Sequence, residues 1–344
     1  MIRDAIRKVV EKEDLNEVEA ADVMREIMDG EATPSQMSAL ITALRMKGET
    51  VEEVTGFARI MREKSIKIPT KLKATALIDT CGTGGDRMNT FNISTAAAFV
   101  VAGAGIAVAK HGNRAMSSKC GSADVLEALG VNIGLGPEAV GRCIDEVGIG
   151  FMFAPAHHPS MKHAVVPRKE IGIRTVFNIL GPLTNPAGAK RQLIGVFDAH
   201  LTELIAGALL KLGSERAIVA HGLDGIDELS TVGKTKVTEL ADGKLKTYEM
   251  TSADVGLPTA KPEDLSQGED PAASARILEE ILSGKTGAGR DIVLLNAGAA
   301  LNIGGKAGTI QEGIALAADS IDGGKAASAL DGLKKLSQQL ASDT

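Results

Sequence analysis

Aromatic side chains are nearly missing from this chain: there is no Trp, one Tyr (Tyr248) and seven Phe in 344 residues. That removes the stacking platform on which single-stranded nucleic acid is usually held, and it leaves the core to aliphatic side chains. A basic excess is missing too. The net charge is -6 and the isoelectric point about 5.6, whereas nucleic-acid binders usually show a basic face, so no nucleic-acid partner is expected. Any anionic ligand must then be gripped by local groups, not drawn in by the overall field. Cysteine is scarce. Cys81, Cys120 and Cys143 lack zinc-ligand spacing, and an odd count suits a reducing, cytoplasmic location. Cys81 and Cys120 read as small buried thiols. There is also no unbroken apolar span. The longest uncharged stretch, 89–109, is divided by Gly103-Ala104-Gly105 into a helix and a strand, so no membrane segment is expected. The N-terminal Met1-Ile2-Arg3-Asp4 leads into charged helix rather than a signal core.

What is present is patterned. Residues 1–70 read as all helix. Asn16 with Glu19, Thr33 with Gln36 and Thr50 with Glu53 each have capping-box spacing, and Pro34 falls at a first helical position. Apolar residues then recur at helical spacing, as in Val23, Met24, Ile27 and Met28, and Gly30 and Gly48 fit as helix stops. The segment from Ile66 to Lys73 reads as an extended link. From residue 71 to 344 the pattern becomes strand, glycine turn, helix, repeated. Strands are expected near 76–78, 106–109, 150–153, 192–197 and 216–220, and Ala241-Asp242-Gly243-Lys244 marks a hairpin. Residues 274–340 look mostly helical, with Ile292 to Leu295 ambiguous between strand and helix. The expected fold is α/β: a small all-helical N-terminal domain, 1–70, and a larger domain, 71–344, with a mainly parallel central sheet flanked by helices.

Two glycine-punctuated blocks follow apolar strands. The first is Asp79-Thr80-Cys81-Gly82-Thr83-Gly84-Gly85-Asp86, then Asn92-Ile93-Ser94-Thr95; the second runs from Lys110-His111-Gly112-Asn113-Arg114 through Ser117, Ser118 and Ser122. Glycines leaving a strand bring backbone N–H groups close to an anion, and a helix starting beyond adds its positive end. Neither the Rossmann nor the Walker pattern is present. The bland reading of the first block is a tight strand-to-helix turn, and of the second a solvated Lys/Arg surface loop. Together, with Lys110 directly after a strand, they favour a ligand carrying several phosphates. Asp227-Glu228 follows the strand at 216–220. Two adjacent carboxylates suit Mg²⁺, which uses one or two of them plus substrate phosphates; an exposed acidic turn before a helix fits the run equally well. The triplet His157, His158 and His163 has no completing ligand for zinc and reads as a pocket-lining helix start. Arg168 and Arg174 could each pair a substrate carboxylate bidentately, or serve as interface or salt-bridge arginines.

These blocks, with Gly121-Ser122-Ala123-Asp124, His157-His158-Pro159, Gly172-Ile173-Arg174-Thr175 and the run from Asn178 to Pro186, resemble the anthranilate phosphoribosyltransferases in the same order over essentially the whole chain. The resemblance implies a tryptophan-biosynthesis enzyme joining anthranilate to 5-phosphoribosyl 1-diphosphate (PRPP), with Mg²⁺ as cofactor. The aromatic amine is already neutral at pH 7, so a strong base is not required and no catalytic residue is expected. It implies a helical domain completed by a segment near 165–185, a cleft between two domains, and a homodimer formed through the helical parts. By the family pattern, Gly82, Gly85, Asp86, Thr90, Asn92, Ser94, Thr95, Lys110, Ser118 and Ser122 contact PRPP. Ser94, Asp227 and Glu228 hold magnesium. Gly82, Asn113 and Arg168 contact anthranilate, with His111 and His158 as pocket neighbours. Two rivals share the architecture: a pyrimidine nucleoside phosphorylase, which needs one phosphate cradle and no acidic pair, and a non-catalytic nucleic-acid-binding relative.

Overall fold

The computed structural model describes residues 1–85, 88–115 and 119–342. The first helices are α1 (Ile2–Val10), α2 (Glu17–Met28), α3 (Pro34–Lys47) and α4 (Val51–Lys64). All three expected capping boxes form, and Pro34 opens α3. The apolar stripes turn inward, with Met24, Ile27, Leu40, Leu44, Phe57 and Ile60 buried together. One charged side chain joins them. Glu53 is fully buried; its carboxylate accepts the Leu15 and Thr50 N–H groups at 3.0 and 2.9 Å and pairs with Lys47 Nζ at 3.1 Å. Such donors are what make a buried carboxylate tolerable, and here they tie the loops before α2 and α4 to the end of α3.

An extended stretch then leads to β1 (Leu77–Gly82), α5 (Ile93–Gly103), β2 (Ala107–Gly112), α6 (Ser122–Ala128), α7 (Pro137–Val147) and β3 (Ile149–Phe153). Next come α8 (Ala154–His157), α9 (Lys162–Ile171), α10 (Phe177–Leu180), β4 (Arg191–Gly195), α11 (Leu201–Lys211) and β5 (Arg216–Gly222). The hairpin β6 (Thr235–Ala241) and β7 (Lys244–Met250) precedes α12 (Pro271–Leu282), α13 (Ala288–Ile303), α14 (Ile310–Asp322) and α15 (Lys325–Ser342). Among the described residues no helix is long and apolar enough to cross a membrane.

The sheet order is β3-β2-β1-β4-β5-β6-β7. The strands from β3 to β5 are parallel and the final hairpin antiparallel. Alternate side chains divide between the two faces. Ile78, Val108, Leu193 and Ile218 join the cluster built with α5 and α13, while Ile194, Val196, Ala217 and Val219 join α11 and the N-terminal helices. Helix α9 packs on α2 and α3, and α10 on α4.

Two sequence readings change. β2 continues through Lys110 and His111 to Gly112, because a buried carboxylate and carbonyl on β1 receive those polar residues. Ile292 to Leu295 is helical: it begins a run, 292–303, that is buried throughout between α5 and α14, a length no strand here reaches.

From β1 the chain steps outward to β2 and β3, then returns to place β4 on the other side. The crevice beyond the carboxyl ends of β1 and β4 is therefore the switch point, where open α/β sheets bind ligands. In the β1–β4 register the final pair is Gly82 opposite Gly195.

Replacing Glu53 by Ala removes the acceptor of two backbone donors and one partner of Lys47, which keeps Asp14 at 2.6 Å. It is expected to cost about 3 kcal/mol in denaturant unfolding; a loss under about 1 kcal/mol would show that the buried carboxylate is dispensable.

Candidate active site

Three strand exits meet at this crevice. β1 leaves through Gly82-Thr83-Gly84-Gly85, and Gly84 and Gly85 take φ of 68° and 80°, values that only glycine adopts cheaply. Thr83 is fastened twice: its N–H donates to the Gly195 carbonyl at 2.9 Å, and its Oγ1 accepts the Phe197 N–H at 3.0 Å. Beyond the turn, α5 opens after Asn92 and presents its positive end, with Ser94 and Thr95 in its first turn. From β5 comes Asp227-Glu228. A Cβ on Gly195 would lie 1.5 Å from the Asp227 carbonyl oxygen, and one on Gly82 would lie 3.3 Å from Asp227 Oδ2. The acidic pair thus rests directly on the glycine turn. Glu228 is 7% exposed, and the next element is the strand β6, so the reading as an exposed turn before a helix does not hold.

The β2 exit forms the second wall. A Cβ on Gly112 would meet Ser122 Oγ at 2.2 Å, so the loop closes tightly on the start of α6. Asp124 organises it, accepting the Ala115 and Gly121 N–H groups at 2.9 Å each and the Arg114 guanidinium at 2.9 Å. The Asn113 carbonyl accepts from the Ala123 N–H and the Ser122 hydroxyl. The Asn92 amide donates to the Cys120 carbonyl at 3.1 Å, which joins the two loops. Asn92 Oδ1 and Thr95 Oγ1 are buried without a hydrogen-bond partner among the described residues, leaving acceptor and hydroxyl capacity of the kind a ligand satisfies. Thr90 is held by a bridge to Ser266. Asp86, Ser117 and Ser118 lie outside the described residues.

Lys110 is not a loop residue. It is 2% exposed, and its Nζ donates to the Thr80 carbonyl at 2.5 Å. Asp79 lies alongside, accepting the His111 N–H at 3.2 Å and the Asn185 amide at 2.8 Å. Burial opposes charge on both: it raises the Asp79 carboxyl to about 6 and lowers the Lys110 ammonium, while the nearby opposite charge works against each shift. Glu228 is near enough for its negative charge to favour the charged form of Lys110.

On the far side, the His111 and His158 rings are 5.1 Å apart. Burial, reinforced by the neighbouring histidines, lowers His111 to about 3 and His158 to about 4, so both are neutral at pH 7. Their Nε2 atoms have no hydrogen-bond partner among the described residues. Arg168 on α9 lies 5.3 Å over the Phe177 ring and makes no ion pair among the described residues. Its guanidinium is therefore open to a ligand. Arg174 is engaged instead, donating to the Gly85 carbonyl at 2.7 Å. Thr83, Asn185 and Phe197 were not singled out from the sequence. Thr83 and Asn185 lie within noted motifs, but nothing local to Phe197 signals its role.

The comparisons agree with this architecture. Residues 74–327 match the model of the glycosyl transferase family a/b domain, and residues 3–65 match its helical bundle domain. The chain is 56% identical over 335 residues to the anthranilate phosphoribosyltransferase of Moorella thermoacetica, covering 97% of each, and 56% identical over 331 residues to that of Acetivibrio thermocellus, covering 96% of this chain and 95% of the relative. Among solved structures, anthranilate phosphoribosyltransferase from Thermus thermophilus superposes with a TM-score of 0.92 at 43% identity, covering 97% of this chain and 99% of that one. The Saccharomyces cerevisiae enzyme in complex with PRPP and Mg gives 0.88 at 28% identity over 98% of each chain. The chain belongs to the two-domain glycosyl transferase family and, within it, to the anthranilate phosphoribosyltransferases.

The neutral histidines generate a pH test. With folded values near 3 and 4 against about 6.5 when unfolded, the unfolded chain binds protons that the folded one refuses. Their contribution is full above about 6.5 and is lost as pH falls toward 4. A His158→Gln variant should lose about 1–2 kcal/mol less stability than the parent between pH 7.5 and 5 in urea titrations. Equal losses would show that His158 is not held neutral.

Proposed function

We propose that this chain transfers the 5-phosphoribosyl group of PRPP to the amine of anthranilate, releasing pyrophosphate, in tryptophan biosynthesis. The observation that carries the proposal is the seating of Asp227 against Gly82 at the switch point. PRPP bears a diphosphate at one end of its ribose and a phosphate at the other, and two glycine-bearing strand exits suit two anionic groups. Gly82, Gly85, Thr90, Asn92, Ser94, Thr95 and Ser122 are assigned to PRPP, with Lys110 supplying charge. Asp86 and Ser118, expected from the family pattern, lie outside the described residues. Gly82, Asn113, Arg168, His111 and His158 are assigned to anthranilate.

Asp227, Glu228 and the Ser94 hydroxyl are hard oxygen donors. Among the described residues no three His, Cys, Asp or Glu side chains gather into a metal cage. That donor set fits Mg²⁺, which completes its shell with substrate phosphates and water. When bound, Mg²⁺ supplies positive charge that balances the departing pyrophosphate.

The protein's share is positioning and electrostatics. Backbone amides of the first glycine turn and the start of α5 meet the negative charge that develops as the ribose–pyrophosphate bond breaks. Arg168 holds the anthranilate carboxylate and aims its amine at the ribose carbon. That amine is already uncharged at pH 7, so its nitrogen can form the new bond and then release a proton without a strong base. His111 and His158, kept neutral, line the pocket without adding charge beside the cationic ribose.

Residues 1–70 with 165–185 are assigned to one domain and 71–344 to the other. The helical unit is assigned the contact of a cytoplasmic homodimer, supported by Val18, Met46, Val165 and Val166, all at least 55% exposed on α2, α3 and α9.

Replacing Asp227 and Glu228 by Asn and Gln should cut turnover by at least about 100-fold and flatten its magnesium dependence, with anthranilate affinity largely kept. An unchanged magnesium response would remove the pair from the metal site. Arg168→Ala should raise the anthranilate KM by about 10- to 100-fold and the PRPP KM far less. Equal rises would end its assignment to the carboxylate. Both are read by loss of anthranilate fluorescence.

A further inference from the structure

We propose that Arg174 is a positioning residue that fixes the shape of the β1 glycine turn and so sets the affinity for PRPP. The inference rests on the reaction assigned above. Gly82, Gly84 and Gly85 have no side chains with which to hold the turn, and ordering consecutive glycines is entropically expensive. Its shape must be fixed from outside. Besides the Thr83 N–H on the Gly195 carbonyl, two contacts do so, and both lead to Phe197. Thr83 Oγ1 accepts the Phe197 N–H at 3.0 Å. Arg174 donates to the Gly85 carbonyl at 2.7 Å while its guanidinium carbon stands 4.3 Å from the Phe197 ring centroid. Stacking on the ring restricts the guanidinium plane, so the hydrogen bond is aimed before ligand arrives.

Arg174 has no competing duty. It is exposed, and among the described residues it makes no ion pair with a carboxylate, unlike Arg114 and Arg290. It does not occupy the anthranilate side, where Arg168 lies over Phe177. Its place in the chain adds a consequence. Helix α9, which carries Arg168, ends at Gly172 with a left-handed φ of 67°, and Arg174 follows two residues later. One short segment thus bears the carboxylate anchor at one end and the phosphate-turn clamp at the other.

The test is steady-state kinetics on Arg174→Ala, Arg174→Lys and Phe197→Leu, with the Arg174→Ala/Phe197→Leu double variant. Arg174→Ala should raise the PRPP KM on the order of tenfold and change the anthranilate KM by less than about twofold. Its melting temperature should stay within about 2 °C of the parent, since an exposed side chain away from the core is removed. Lys, which can reach the carbonyl but cannot stack, should recover part of the PRPP affinity. In the Phe197→Leu background, Arg174→Ala should add less than about threefold, because the two act through one clamp. A PRPP KM that does not move, an anthranilate KM that moves as much, or additive effects in the double variant would each overturn the proposal. A parent protein that consumes no PRPP with anthranilate would overturn the reaction assignment as well.

Discussion

The site depends on one close approach of backbone to backbone. Asp227 crosses the end of β4 so tightly that its carbonyl oxygen occupies the space any side chain at Gly195 would need. Gly195 is the register partner of Gly82 on β1, and its own carbonyl accepts the Thr83 N–H. Three parallel strands therefore end in one stack: the glycine turn from β1, the bare end of β4, and the acidic pair that β5 delivers over both. Without glycine at 195 the pair would lift away from the turn, and the carboxylates and the anion cradle would become separate surface features. Rigid strands set the position, which is why the chemistry sits at their ends and not in the middle of a long loop.

That stack gathers negative charge, and the surroundings compensate locally. The chain is acidic overall, so no general positive field offsets two carboxylates beside a polyphosphate. Lys110 has its ammonium on the Thr80 carbonyl, and the charges of Asp79 and Glu228 both favour its charged form. Asp79 is satisfied by the His111 N–H and the Asn185 amide. Opposite the acidic pair, buried histidines stay neutral. Carboxylates are thus concentrated at the phosphate end of the crevice, and the face assigned to the aromatic amine carries the Arg168 guanidinium, with Lys67 near enough to His158 to help hold it neutral. A reaction that transfers a sugar from a leaving diphosphate to an uncharged amine needs this asymmetry more than it needs a proton acceptor.

Much of this was legible in the chain. Capping boxes at Asn16, Thr33 and Thr50 placed three helices, because helix starts are set by contacts three residues apart. Apolar runs placed the strands, and glycines after them pointed to anion binding. What stayed hidden depends on partners distant in sequence. Lys110 looked like the first residue of a loop because its carbonyl partner, Thr80, lies on the neighbouring strand. Asp227 and Glu228 fit a surface turn as well as a ligand pair in the chain itself; only the sheet order, with β5 beside β4, brings Asp227 onto the glycine turn. Apart from the family pattern, which picks Arg168 for anthranilate, nothing in the run itself separates Arg168 from Arg174; the fold brings Arg174 to Gly85 and leaves Arg168 over Phe177. Ile292 to Leu295 was ambiguous because a fully buried helix shows no amphipathic period.

The most direct test of the convergence of loops and acidic pair is calorimetric titration of PRPP, with Mg²⁺ and with chelator, into the parent protein and into the variant with Asp227 and Glu228 replaced by Asn and Gln. The parent should bind PRPP more tightly with Mg²⁺ than with chelator, and most of that difference should disappear in the variant. A magnesium-dependent gain in affinity that is the same with and without the two carboxylates would contradict the site described here.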